Sequence, residues 1–354
     1  MKKSSASFKT YWKTHKVQRV LLIILLVVLL LFLAAFGFYR SKLALLNYSD
    51  GVSHGDAIDE SDSETLAESD AMKESTAGLE EKDAVEATGD IMSDENVINI
   101  LLIGTDERTT DGFSDNARGD SCLLLSLDKR NNAVKLVSFE RGMGMPILDG
   151  EYEGQYDWLT HTFRYGGAAL MMKEITECFK VKVDRYIRVN FGTFIKGIDA
   201  VGGVDIDLTQ EEVTYFNTGN HENFHVGVNH LDGEQALGYA RLREIDSDWS
   251  RIQRQRRVIQ AAWDRVADLS VLQLNTLLDQ IFPMVQTNLT DSEITTLLLL
   301  APSLRGATAE QLTIPEAHTY GSMTGMGGRS MFAVDFELNS QALQEFVYGT
   351  TNDN

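Results

Sequence analysis

An α/β domain with a central mixed β-sheet flanked by helices, preceded by one transmembrane helix, is the architecture this 354-residue chain predicts. Three observations carry that expectation. Val97 to Gly104, VINILLIG, is an uninterrupted apolar run ending at glycine, the pattern of a strand buried on both faces. Ser121 to Leu127 and Ala133 to Phe139, SCLLLSL and AVKLVSF, flank a polar turn and predict a hairpin. Helical stretches such as GGAALMMKEITECF, Gly166 to Phe179, alternate with strands across the remainder.

The elements follow in order. Residues 1–19 form a basic tail carrying Lys2, Lys3, Lys9, Lys13, Lys16 and Arg19 and no acid. Residues 20–39 contain no charged side chain. At ~1.5 Å per residue such a run spans ~30 Å, the thickness of a bilayer's hydrocarbon core. A cleaved signal peptide is the rival, but its apolar region runs only about 7–15 residues. The basic flank keeps the N-terminus in the cytoplasm and sends the rest outside, as a single-pass protein of the cell membrane. Between residues 41 and 96 there are 16 acids against 3 lysines, and no aromatic after Tyr48. Such a composition buries too little apolar surface to fold alone, so 40–96 is expected to be an acidic disordered spacer. Residues 97–354 are long enough for one large α/β domain with a sizeable core. Cys122 lies in an apolar strand, where a free thiol behaves as a small hydrophobe.

Three strand ends converge in this scheme. If the third strand runs parallel to the first, their carboxyl ends share one edge with the start of the hairpin partner. Asp106, Asp120 and Arg141 would meet there, with Arg108 and Arg118 on the connecting loop. Two carboxylates among arginines suit a hard cation bridging a phosphate, Mg2+ first and Mn2+ second. The alternative is that both aspartates only pair with neighbouring arginines or cap turns.

A second cluster is compositional. Arg241, Arg243, Arg251, Arg254, Arg256 and Arg257 fall within seventeen residues of a chain whose net charge is -20. Either they form a solvated face paired with Glu244, Asp246 and Asp248, or they hold a polyanion. Tyr239 to Arg243 alternates, so Arg241 and Arg243 share a face if extended. Arg251, Arg254 and Gln255 share one face of the helix that follows, which Asp248 or Ser250 can cap. A helix N-terminus adds free N–H donors suited to pyrophosphate. Nucleic acid is not expected outside the cell, and few aromatics interleave. The apolar residues of 166–179 and of the helix after Arg257 read either as core or as a channel for a lipid chain.

The chain resembles the LytR-CpsA-Psr family of surface enzymes. The matching pieces are NILLIGTDER (99–108), ARGDS (117–121), LVSFERG (136–142), LTHTFRYGG (159–167), IDAVGGVDIDL (198–208), LDGEQALGYARLR (231–243) and DWSRIQRQRR (248–257). The resemblance implies a phosphotransferase that moves a glycopolymer from undecaprenyl pyrophosphate onto peptidoglycan through a phosphodiester. It puts metal-binding aspartates at Asp106 and Asp120. Pyrophosphate-binding positions fall at Arg118, Arg141, Arg241, Arg243, Arg251, Arg254 and Gln255. The expected catalytic group is Asp106, Asp120, Arg118 and Arg141, and the family's apolar tunnel favours the channel reading. Arg256 and Arg257 read as surface charge. Two departures stand out. Gly142 replaces an aspartate common after the arginine aligned with Arg141, and His161 and Phe163 stand where other members often show small or different polar residues. A membrane-anchored anion-binding scaffold without turnover, and a pyrophosphate hydrolase, are the rival functions.

Overall fold

A computed structural model describes residues 37–56, 58, 63–107, 112–219, 221–242, 245, 248–300 and 309–349. The chain divides into two compact units, 1–46 and 47–354. In the first, residues 37–43 are helical. The rest of the expected anchor lies outside the described residues. Among the described residues no helix is long and apolar enough to cross a membrane.

The second unit is built on a seven-stranded sheet. Its strands are β1 (Asn47–Tyr48), β2 (Val97–Thr105), β3 (Ser121–Asp128), β4 (Ala133–Phe139), β7 (Arg185–Asn190), β10 (Gln286–Thr287) and β11 (Glu310–Ile314). Their spatial order is β1-β10-β7-β2-β3-β4-β11. β2 and β3 are antiparallel, as are β3 and β4, so β2 and β4 run parallel as expected. Asp128 closes the hairpin, its carboxylate accepting from the Arg130 amide at 2.8 Å and the Asn131 side chain at 2.7 Å. Smaller hairpins pair β5 (Gly144–Pro146) with β6 (Tyr156–Trp158), β8 (Val204–Leu208) with β9 (Gly227–Leu231), and β12 (Tyr320–Thr324) with β13 (Ser330–Val334).

Nine labelled helices complete the described residues: α1 (Ser63–Thr76), α2 (Leu159–Phe179), α3 (Phe191–Ala200), α4 (Gln210–Gly219), α5 (Gly233–Arg241), α6 (Asp248–Ala267), α7 (Val271–Ile281), α8 (Asp291–Leu300) and α9 (Phe336–Tyr348). The alternation of a buried strand divides its side chains between two layers. Leu101, Ile103, Cys122, Leu124, Val137 and Phe139 pack with α2 and α9 in the larger core, where Phe179 lies 5.3 Å from both Phe139 and Phe336. The smaller core joins Ile198, Val204, Phe216, Tyr239 and Val258 from α3, β8, α4, α5 and α6. Residues 166–179 thus belong to the larger core rather than to a channel. Both cysteines are free and buried, as expected for Cys122.

The acidic segment is a correction. Where 63–96 is described it is ordered: α1 docks on β13, with Met72 buried in the larger core. Isolated bridges join Glu81 to Ser322, Val85 to Asp335 and Met92 to Val181. Composition predicts disorder because the segment cannot make its own core. It needs none, because it borrows backbone partners and one methionine socket from a domain already folded.

Candidate functional site

The β2–β3 loop fixes the first acids. Arg188 on β7 is buried and reaches along it, donating to Glu107 Oε1 at 2.6 Å and to the Ser114 carbonyl at 2.8 Å. The Gly119 amide donates to the Thr160 carbonyl at 3.1 Å, which sets Asp120 at the start of β3. Gly104 faces Ser121 and Cys122 faces Phe139, so the strand ends meet as the register predicts.

Around that edge the charges alternate. Asp106 accepts from the Arg118 amide at 3.0 Å and from Arg118 Nε at 3.2 Å. Asp120 Oδ1 accepts from Arg141 Nη1 at 3.3 Å and Thr160 Oγ1 at 3.2 Å. Arg118 and Arg141 are each 6 % exposed, too buried to be ordinary surface cations. Burial, then the charge of Asp120, push the Asp106 carboxyl above the usual aspartate range. Burial also works to raise Asp120, but Arg141, Arg118 and Arg251 outweigh it and hold its carboxyl below that range.

A third acid, which sequence reasoning places in the spacer, completes the cluster. Glu68 of α1 lies 2.6 Å from Arg141 Nη2 through Oε1 and 3.5 Å from Arg118 Nη1 through Oε2. Nothing local in the sequence marks it. The one pointer is Gly142: a Cβ there would overlap the Met72 methyl, so the missing side chain is room for α1.

Glu68, Asp120 and Arg141 line one end of a cavity of about 560 Å3, while Asp106 and Arg118 stand behind them outside its lining. Glu68, Asp120, Arg141, Arg241, Arg251 and Gln255 form its charged end. Leu102, Leu123, Ile187, Phe194, Leu237 and Ile259 are among its apolar lining. This lining comes from β2, β3, β7, α3, α4, α5 and α6, the last being the helix after Arg257, and no residue of 166–179 takes part. Arg241 stacks over the Phe191 ring at 4.6 Å, and Gln255 Oε1 accepts from Ser121 Oγ at 3.4 Å.

The arginine run divides. Arg241 and Arg251 line the cavity. Tyr239 to Arg241 is the end of α5 rather than extended chain. α6 starts at Asp248, which places Ser250 in its first turn rather than at its cap. Arg243 and Arg108 lie outside the described residues. Arg254 does not line the cavity: its Nε donates to Glu212 Oε1 at 2.8 Å and its Nη1 to the Leu242 carbonyl at 2.9 Å. The i+3 spacing from Arg251 turns it toward α4 and the end of α5. Arg256, expected on the surface, is 4 % exposed. It donates to Ser138 Oγ at 2.8 Å, Thr313 Oγ1 at 2.9 Å and the Leu312 carbonyl, and burial brings it down to about 10. Arg257 is half exposed and reaches Tyr239 Oη at 2.9 Å.

His161 and Phe163 are core residues. His161 is fully buried and its Nδ1 lies 3.2 Å from both oxygens of Asp157. Arg329 and Tyr165 donate to the same carboxylate.

The site also fits a cation modestly. Among the described residues no group of three or more histidine, cysteine or carboxylate side chains is arranged for a metal. Two adjacent aspartates, one held up by the charge of the other, suit a hard ion that takes its remaining ligands from water and phosphate oxygens.

A cluster of carboxylates and arginines thus stands at one end of a largely apolar cavity. The LytR_cpsA_psr family model matches residues 62–346, and the chain belongs to that family. The match begins at the edge of α1, which places the acidic helix inside the domain. A curated relative from Oceanobacillus iheyensis, named polyisoprenyl-teichoic acid–peptidoglycan teichoic acid transferase TagU, is 36 % identical over 229 residues, covering 62 % of this chain and 67 % of its own. One of the same name from Bacillus mycoides is 34 % identical over 206 residues, covering 57 % and 64 %. The match thus spans about two thirds of these relatives' length. Among solved structures, TagT bound to LIIa-WTA superposes with a TM-score of 0.58 at 24 % identity, over 75 % of this chain and 96 % of that one. Protein gbs0355 from Streptococcus agalactiae gives 0.60 at 21 %, over 73 % and 90 %. At such identity these two speak to the fold.

Proposed function

We propose that this chain is a phosphotransferase that moves a glycopolymer from a polyprenyl-pyrophosphate carrier, undecaprenyl pyrophosphate, onto peptidoglycan through a phosphodiester bond. The observation that carries it is the single cavity that joins Arg141, Arg241 and Arg251 to an apolar lining. A pyrophosphate with a long hydrocarbon tail has that same division. The names of the curated relatives support the reading.

The chemistry follows from the placement. Arg141, Arg241 and Arg251 hold the pyrophosphate at the cavity mouth, with Arg118 beside them and the tail among the apolar side chains. An acceptor sugar hydroxyl attacks the phosphorus nearer the glycopolymer. The bond from that phosphorus to the bridging oxygen breaks, and polyprenyl phosphate leaves. The arginines stabilise the charge that gathers on the leaving phosphate, a role worth about 10³–10⁵ in rate for one arginine in comparable transfers. Asp106 and Asp120 would hold Mg2+ or Mn2+, which neutralises pyrophosphate charge. The chain is anchored by 20–39, with this domain on the outer face of the cell membrane. Arg254 is withdrawn from the pyrophosphate contacts, and Arg243 stays among them on the resemblance alone.

The test is reconstituted transfer by the full chain in detergent micelles. Lipid-linked glycan, peptidoglycan and Mg2+ are supplied, and products are read by mass spectrometry. A phosphodiester-linked product that needs peptidoglycan is expected. Release of free glycan phosphate regardless of acceptor would identify a hydrolase. No turnover alongside tight pyrophosphate binding would identify a scaffold.

A further inference from the structure

We propose that Glu68 is a positioning residue of the transfer site, tying Arg118 to Arg141 from a helix that enters beside Gly142; this rests on the reading of those arginines as the pyrophosphate cradle. The inward face of α1 carries Thr65, Glu68, Met72 and Thr76, all buried. Their spacing of three and four residues puts them on one stripe. Only Met72 is apolar, and it packs into the larger core. The helix is therefore not packed as ordinary core filler. Its central group is a carboxylate 2 % exposed, and a buried carboxylate is strongly unfavourable unless paired.

Both pairings are at the site. Arg118 meets Asp106 through Nε and Glu68 through Nη1. Arg141 meets Asp120 through Nη1 and Glu68 through Nη2. Each guanidinium thus lies between a strand-end aspartate and the same glutamate, closely for Arg141 at 2.6 Å and more loosely for Arg118 at 3.5 Å, where Glu68 Oε2 makes no hydrogen bond among the described residues. With the glutamate's charge removed, each guanidinium loses one of the carboxylates that hold it. Glu68 also lines the cavity, so the tie sits where the pyrophosphate binds.

Gly142 leaves room for this arrangement. A Cβ at that position would strike the Met72 methyl and lie 2.8 Å from its sulfur, so the tip of the methionine would have to shift. Gly142→Ala tests whether α1, and with it Glu68, shifts too.

The experiment uses the full chain in micelles, comparing wild type, Glu68→Gln, Gly142→Ala and Gly142→Ala with Met72→Ala. Two readouts are taken: kcat for transfer, and labelling of Arg118 and Arg141 by phenylglyoxal, followed by peptide mass spectrometry against surface Arg265. Glu68→Gln is expected to lower kcat by about tenfold or more and to speed labelling of both arginines about threefold, leaving Arg265 unchanged. Gly142→Ala should do the same with Glu68 intact, and Met72→Ala should restore much of the loss. A plain folding defect would not be relieved by shortening a buried methionine. Unchanged labelling overturns the proposal, as does kcat within about threefold of wild type or a raised kcat, the mark of a carboxylate that merely competes with substrate. Wild type that labels as expected but makes no product counts against the functional reading alone.

Discussion

Two buried knots of arginine and carboxylate lie in this domain, and they are built to opposite specifications. At Asp157 one carboxylate receives the Trp158 amide, Tyr165 Oη, two nitrogens of Arg329 and the His161 ring. Burial works to raise it, but His161 and Arg329 prevail and its carboxyl lies below the usual range. At the cavity mouth three carboxylates share two principal arginines, and Asp106 is held above its usual range. The Asp157 carboxylate is fully engaged within the fold, although His161 Nε2 in the same knot has no hydrogen-bond partner among the described residues. The second knot keeps like charges close, a tension that a bound cation or anion would relieve, and carboxyls perturbed in that way concentrate at functional sites.

The contrast can be broken from either side. Arg141→Ala should lower the transfer rate per folded molecule by about 10³ or more, read by product formation with the folded fraction set by differential scanning calorimetry. Asp157→Asn should do the reverse: a loss of about 3–5 kcal/mol in denaturant unfolding, because Arg329 is left buried beside a neutral group, with kcat per folded molecule preserved. A smaller effect concerns Glu174, fully buried beside the first knot, whose carboxyl burial pushes well above its usual value. Its folded pKa exceeds the unfolded one. Its contribution is therefore complete below the unfolded value and is lost as pH rises through the folded one. Glu174→Gln should flatten the fall in unfolding free energy between acid and neutral pH; an unchanged slope would refute this. Smallest of all, Arg257→Gln should shift stability by less than about 0.5 kcal/mol, since its head is half in solvent.

The sheet was legible in the chain because strand burial and turn chemistry are local. VINILLIG and the hairpin, with its Asp128 turn, appear where their patterns put them. So does the meeting of Asp106, Asp120 and Arg141, which needs only strand direction. What was not legible depends on distant partners. Glu68 is one acid among many until Arg118 and Arg141, far along the chain, approach it. Arg254 and Arg256 look the same as Arg251 in a run of arginines. Helical rotation alone sends one to Glu212, another beneath the sheet to Ser138, and leaves the third in the cavity.

Those two inward arginines have a mechanical consequence. Arg254 pins α6 to α4 and to the end of α5, while Arg256 pins the same helix to β4 and β11. The wall that carries Arg251 is therefore riveted at two points within one turn and cannot swing outward without exposing buried cations. Any widening of the cavity for a bulky occupant falls instead to elements that neither arginine fastens, such as α3 with Phe194, and not to α4 with Phe216, which Arg254 holds to α6.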